Sequence, residues 1–350
     1  MYFASDNGSA AHPKVMDALV AANEGYSASY GDDQIMARVR EKIRTLFEAP
    51  DAAVYLVATG TTANSLSLAV NVKPWQAIYC HDVSHIQTDE CNAPEFYTGG
   101  AKLTVVGGGN GLISVPELTQ AIEKTVHGDV HHTQRGAISI TNLSEAGTAY
   151  SPEDIGSISG VAQNYGMPLH MDGARFANAL VAQGCSAAEL TWKSGVDVLS
   201  FGGTKNGLLG VEAVVMFDPA QAWEFELRRK RAGHLFSKHR YLSAQMDAYL
   251  ENNLWRDMAR IANESAARLS RGISEITDAS LVYPTDGNIV FAKLPRAAHR
   301  RAMNGGAIYY FMNAADTTDG PDQDCLGARF VCSWSTTKAD VDQFLELARS

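Results

Sequence analysis

"VDVLSFGGTKNGLLG", residues 196–210, decides how this chain is read. A β-branched, apolar run ends near Ser200 and delivers Lys205 into a segment holding four glycines: Gly202, Gly203, Gly207 and Gly210. Lysine on a globular protein ordinarily sits on a solvated face, where glycine is unhelpful. Here it follows a strand, and the bare backbone around it leaves room for a bulky group to approach. A P-loop is excluded, because "GGTKNG" lacks the GK[ST] ending and the long spacer.

Outward from that stretch, short β-rich runs alternate with helical patterns. The candidate strands are "AVYLVA" (53–58), "AIYC" (77–80), "KLTVV" (102–106), "AISIT" (137–141), "MPLHM" (167–171), "VDVLS" (196–200) and "VEAVVMF" (211–217). Helical stretches at 61–72, 116–126, 152–165 and 175–193 lie between them, and "SVPELTQ" and "SPEDIGS" each place Ser, Pro and an acid at a helix start. The alternation predicts an α/β fold with a mostly parallel sheet covered on both faces. Beyond about residue 220 the rhythm changes to long helical patterns over 220–250 and 254–275. Strands "NIVFAKL" (288–294), "AIYYFM" (307–312) and "ARFVCS" (328–333) follow, then a closing helix "KADVDQFLELAR". This reads as a large domain over 1–250, with an N-terminal arm, and a small C-terminal α/β domain over 251–350.

Composition narrows the function. At 350 residues the chain is long for one core and suits two domains. Its net charge of −10 makes nucleic acid and anionic membranes poor partners. The one basic knot, "RRKRAGHLFSKHR" (228–240), reads mainly as a solvated face but is a candidate place for a small anion. No apolar run is long enough to span a bilayer and the N-terminus lacks a targeting pattern, so the chain is expected to be cytoplasmic. The five cysteines are scattered and never spaced C-x-x-C; they read as small buried apolar residues rather than disulfides or a zinc site. His127, His131 and His132 fall in a polar loop and read as exposed, so no metal is expected.

In open α/β sheets ligands bind beyond the carboxyl ends of the strands. Three such ends carry chemistry. "VATGTTANSL" (57–66) puts Gly60, Thr61 and Thr62 at a helix start, which is either a phosphate cradle or a plain N-cap. In "MPLHMDGAR" (167–175), Asp172 could cap a helix, hold a metal beside His170, or accept a hydrogen bond from a protonated ring nitrogen. Two ligands are too few for zinc. Lys205 closes the third strand end. A lysine amine, a carboxylate and a phosphate-type helix start, in this order, suit a Schiff base to pyridoxal phosphate: the lysine supplies the amine and the aspartate keeps the pyridine nitrogen protonated.

The sequence resembles the fold-type-I pyridoxal phosphate enzymes, and more narrowly the threonine aldolase family of low-specificity and phenylserine-aldolase type. The resemblance runs from "FASDNGS" to "ARFVCSWSTT", and its most specific pieces are "SYGDD" (29–33), "ATGTTAN" (58–64), "SHIQTDE" (84–90), "HMDGAR" (170–175) and "SFGGTKNG" (200–207). It implies a transferase-like large domain with a mostly parallel seven-stranded sheet. It further implies that Lys205 holds the cofactor, Asp172 pairs with its pyridine nitrogen, Arg175 lies near its ring oxygen, and Gly60 and Thr61 bind its phosphate. His85 would stack on the ring with Glu90 nearby, and Ser5 and Arg329 would hold the substrate carboxylate. Tyr30 would line the site, and Arg240, with Lys238 matching almost as well, would contact the phosphate across an interface of a homodimer or homotetramer with shared sites.

One departure stands out. Where many family members carry "NTHN", this chain reads "NLSEAG" (142–147), with Glu145 in place of the histidine thought to touch the β-hydroxyl. The expected reaction is cleavage of L-threonine, L-allo-threonine or a related β-hydroxy-α-amino acid to glycine and an aldehyde, with His85 the first candidate base and Glu145 the second. The alternatives are β-elimination or transamination on the same scaffold, and a binding protein without activity.

Overall fold

All seven strand-like runs of the first part of the chain form one sheet in the computed structural model, which describes residues 1–349. They are β1 (Ala53–Val57), β2 (Gln76–His81), β3 (Lys102–Val106), β4 (Gln134–Thr141), β5 (Leu169–Gly173), β6 (Val198–Phe201) and β7 (Glu212–Met216), in the order β1-β7-β6-β5-β4-β2-β3. Pairing is parallel from β3 through β2, β4 and β5 to β6, and β7 runs antiparallel to both neighbours. The exception has a local cause. Only the short segment 202–211 joins β6 to β7, too little chain for the crossover that a parallel return needs. The turn bearing Lys205 is therefore the loop of a β6–β7 hairpin.

The central strands are buried on both faces, as expected of a covered sheet. Helices begin where capping chemistry allows. Pro152–Asn164 opens on a capping box between Ser151 and Asp154, and Gly60–Asn71 opens on Thr59, whose hydroxyl accepts the Thr62 amide at 3.3 Å.

Two helical expectations need correction. The stretch 175–193 is α-helical only over Phe176–Gln183, because Gly184 adopts φ 67° and its amide closes onto the Leu180 carbonyl, ending the helix; a short 3-10 turn, Trp192–Ser194, closes the stretch. The stretch 220–250 is two helices, Ala222–Arg231 and Arg240–Leu250, interrupted where Gly233 and His234 fold back onto Lys230 and Arg229 carbonyls. That break leaves Arg228–Arg231 in the last turn of the first helix and puts 232–239 in a loop.

A second, antiparallel sheet of order β10-β11-β9-β8 follows: β8 (Ser280–Leu281), β9 (Ile289–Pro295), β10 (Tyr310–Phe311) and β11 (Cys325–Val331). "AIYYFM" supplies only two strand residues, because Ile308 is taken up by the N-terminus: it bridges Tyr2, and the Phe3 amide donates to its carbonyl at 2.8 Å. Phe3 is fully buried in the core of this second sheet. The helix Leu254–Ser274 ties the two cores together. Leu254, Trp255 and Met258 pack in the core of the large sheet, and Ala266, Leu269 and Ile273 in that of the small one. All five cysteines are free, but Cys91 and Cys325 are exposed rather than buried. Cys91 occupies a tight turn at φ 48°, and Cys325 is the first residue of β11, its thiol 3.3 Å from the Asp278 carbonyl.

Candidate active site

Six of the residues singled out in the sequence line one cavity of about 600 Å³: Ser5, His85, Glu145, Arg175, Lys205 and Arg329. They come from separate elements, namely the N-terminal turn, the helix His85–Thr88, the β4 and β5 exits, the β6–β7 loop and β11. The carboxyl edge of the large sheet and the face of the small sheet thus meet around the lysine. A larger groove of about 730 Å³, lined by Leu66, Phe96 and Leu227 among others, contains none of these residues.

Beneath the cavity runs a chain of hydrogen bonds. His85 Nδ1 lies 2.8 Å from Glu90 Oε1; Asn64 Nδ2 donates to Glu90 Oε1 and to Asp172 Oδ2, both at 2.9 Å; the Ala174 amide donates to Asp172 Oδ1 at 2.9 Å. Glu90 and Asp172 are both buried. The Glu90 hydrogen bond raises the His85 pKa above its ordinary value, against the opposing effects of burial and the Lys205 charge. With Nδ1 so anchored, His85 Nε2 has no hydrogen-bond partner among the described residues.

Asn64 sits one turn into the helix that starts at Gly60, so the helix start lies about 6 Å along the axis from the Asp172 contact. The space beside Gly60 is open, since a Cβ there would meet no atom within 4 Å. His170 is not a metal ligand. Its ring is buried between Ser139 Oγ at 2.9 Å and Ser200 Oγ at 3.2 Å, and burial pushes its pKa down to about 4, so it is neutral. Among the described residues no three metal-ligating side chains cluster.

The two arginines of the cavity differ. Arg175 is paired: Nε and Nη2 donate to Asp6 Oδ2 and Oδ1 at 2.7 and 2.9 Å in a buried, bidentate pair. Burial alone would raise the Asp6 pKa, but the Arg175 charge and hydrogen bonds, with Lys205 and Asn288, hold it below the ordinary carboxylate value. Arg329 pairs in register with Phe291 on β9 and Tyr310 on β10, and its guanidinium has no ion-pair or hydrogen-bond partner among the described residues. Burial, then the like charge of Arg175, lowers its pKa. A half-buried cation without a carboxylate is suited to meeting an anion. Ser5 Oγ accepts the Asn7 amide at 3.1 Å and caps the turn that holds Asp6.

Asp172 and Glu90 are buried and do not line the cavity; Gly60 and Thr61, half-buried at an open helix start, are not among its lining residues either, and Tyr30 and Arg240 are not brought to it within one chain. Tyr30 is exposed at φ 61°, its amide donating to the Ser237 carbonyl at 3.1 Å and its ring 5.0 Å from Lys230 Nζ. Arg240 Nη1 donates to the carbonyls of Gly25 at 3.0 Å and Glu24 at 3.3 Å.

The reading of the glycines around Lys205 changes. A Cβ on Gly202 would fall 2.3 Å from the Ala174 carbonyl oxygen, and one on Gly203 would fall 2.6 Å from that of Val211. These glycines let the turn pack against the protein's own backbone; they do not clear space for a ligand. Three site residues were not singled out by sequence reasoning: Asn64, Asp6 and His234. Asn64 and Asp6 sat inside motifs already quoted. His234 sat in the basic segment, and the helix break brings its ring to 3.1 Å from Thr62 Oγ1 at the Gly60 helix start.

Residues 2–296 match the beta-eliminating lyase family. A low specificity L-threonine aldolase from a Pseudomonas species is 39% identical over 97% of this chain and 94% of its own length. That of Pseudomonas aeruginosa is also 39% identical, over 99% and 96%. Among solved structures, Leishmania major threonine aldolase superimposes with a TM-score of 0.91 at 26% identity, covering 99% of this chain and 98% of its own. The chain belongs to the beta-eliminating lyase family, within the group that includes the low specificity L-threonine aldolases.

Proposed function

We infer that this protein is a pyridoxal phosphate-dependent lyase that cleaves L-threonine, L-allo-threonine and related β-hydroxy-α-amino acids to glycine and an aldehyde. One observation carries the reading: a single cavity holds Lys205, an unpaired Arg329 and a His85 braced by Glu90. The near full-length aldolase relatives favour cleavage of the Cα–Cβ bond, although the family's description also covers β-elimination.

The residues present fit the cofactor. Lys205 supplies the amine; Asp172, held in place by Asn64 and the Ala174 amide, suits a protonated pyridine nitrogen; the open helix start at Gly60 and Thr61 offers amide donors to a phosphate. Arg175 would approach the ring oxygen with its orientation set by Asp6. Bound at Lys205, pyridoxal phosphate supplies an electron sink for the charge left on Cα when the bond to Cβ breaks.

The remaining work falls to side chains. Arg329, with Ser5 beside it in the wall, holds the substrate carboxylate and so sets which Cα bond is aligned for cleavage. His85 takes the β-hydroxyl proton at Nε2 as the aldehyde departs, its ring kept in place by Glu90. Glu145, on the same wall, is the second candidate for that proton. Tyr30 and Arg240, off the cavity in one chain, act in a homodimer or homotetramer on a neighbour's site. The large domain, 1–250, then carries the cofactor and the small domain, 251–350, the carboxylate receptor. A cytoplasmic location is part of this proposal. No helix among the described residues is long and apolar enough to cross a membrane.

The test is glycine release from L-threonine, L-allo-threonine and L-phenylserine by the purified holoenzyme and by K205A. Release by the parent alone supports the reading, and no release from any of the three overturns it.

A further inference from the structure

Glu212 is a buried carboxyl that the mechanism above does not use. It opens β7, a strand otherwise composed of Ala, Val and Met, and is only 6% exposed. Its side chain turns back under the β6–β7 loop, where Oε2 accepts the Gly203 amide at 2.6 Å, two residues before Lys205. An ion buried without a full counter-charge is costly, so a strand interior keeps one only where something holds it.

The loop it supports is gripped from several sides. Tyr249 Oη donates to the Gly202 carbonyl at 3.1 Å, Asn206 Nδ2 donates to Tyr249 Oη and to the Trp255 carbonyl, both at 2.8 Å, and Gln245 Oε1 accepts the Leu209 amide at 3.0 Å. The Thr204 hydroxyl accepts the Val211 amide at 3.2 Å. Every one of these contacts is neutral. Glu212 alone brings a charge to the loop, and the charged or titratable groups facing it are Lys205 from the loop and Tyr249 from the helix Arg240–Leu250.

We propose that Glu212 is the positioning residue for Lys205: its carboxyl fixes the turn through the Gly203 amide and couples its own charge to the cofactor held on that lysine. Burial raises the Glu212 pKa to about 7, against the Thr204 and Gly203 hydrogen bonds and the Lys205 charge. The charge that Glu212 brings under the turn therefore depends on pH. At lower pH the carboxyl is neutral, and at higher pH it carries a negative charge under the turn that bears Lys205. This rests on the pyridoxal reading above, and the parent's own visible cofactor band reports on that reading separately.

The experiment is a spectrophotometric pH titration of purified holoenzyme for the parent, E212Q and E212D, with Tm recorded for each. Glutamine keeps an acceptor for the Gly203 amide and removes the charge; aspartate keeps the charge on a shorter arm. The expected result is a band whose midpoint follows charge: E212Q falls by about one pH unit, a tenfold loss of proton affinity at the linkage, and E212D stays near the parent. If both variants lose Tm while their bands titrate as the parent's does, the carboxyl is only structural and the proposal is overturned. Should E212Q not fold, infrared difference spectra of the parent serve instead. A buried carboxyl protonating near pH 7 in step with a change in the cofactor band supports the coupling, and a band indifferent to that step overturns it.

Discussion

Arg329 and His85 carry the account at the scale of single residues. Arg329 has no partner within the chain among the described residues, so its truncation removes a substrate contact and breaks no internal pair. R329A is expected to raise KM for L-threonine by about 10- to 100-fold, the value of a charge-assisted hydrogen bond, with little loss of Tm. An unchanged KM would remove Arg329 from the carboxylate site. For His85 the sign follows from its neighbour. Glu90 raises its pKa, so E90Q lowers it, and the acid limb of kcat/KM should move to lower pH. A profile that stays in place would mean that His85 is not the base. These two residues were legible through the family resemblance, which places His85 in "SHIQTDE" and Arg329 in "ARFVCSWSTT". Asp6 and Asn64 were not, because their significance depends on Arg175, Glu90 and Asp172, which lie far away along the chain.

Among elements, the N-terminal segment does more than its length suggests. Phe3 is buried with the small sheet while Asp6, three residues on, pairs with Arg175 at the edge of the large one. D6N leaves Arg175 buried without its counter-charge and is expected to cost about 3–5 kcal/mol of stability, measured by denaturant unfolding. The pH dependence has a definite sign. The folded Asp6 pKa is depressed, so its contribution is fully present above the unfolded value of about 3.9 and is lost as pH falls through the folded value. A D6N protein should therefore lose less stability on acidification than the parent. The alternation of strand and helix was readable because burial on both faces demands continuous apolar runs. The direction of β7 was not, since it turns on loop length rather than on strand composition. Nor was the break at Gly233, where helix-forming residues on both sides hid a loop that delivers His234 to the Gly60 helix start.

At the scale of the whole molecule, two sheets close around one lysine, and the pieces left outside the cavity become informative. Tyr30, held at φ 61° and exposed, and Arg240 lie apart from the cavity in a single chain. If they serve a neighbouring copy, K205A and Y30A proteins that are each impaired should regain activity when mixed and re-assembled, because one hybrid site then has both residues intact. A mixture no more active than its parents would confine each site to one chain. The central claim is cleavage of the Cα–Cβ bond, and the product balance from L-threonine tests it most directly. Purified holoenzyme should release glycine and acetaldehyde in equal amounts; ammonia and a keto acid without glycine would contradict the account.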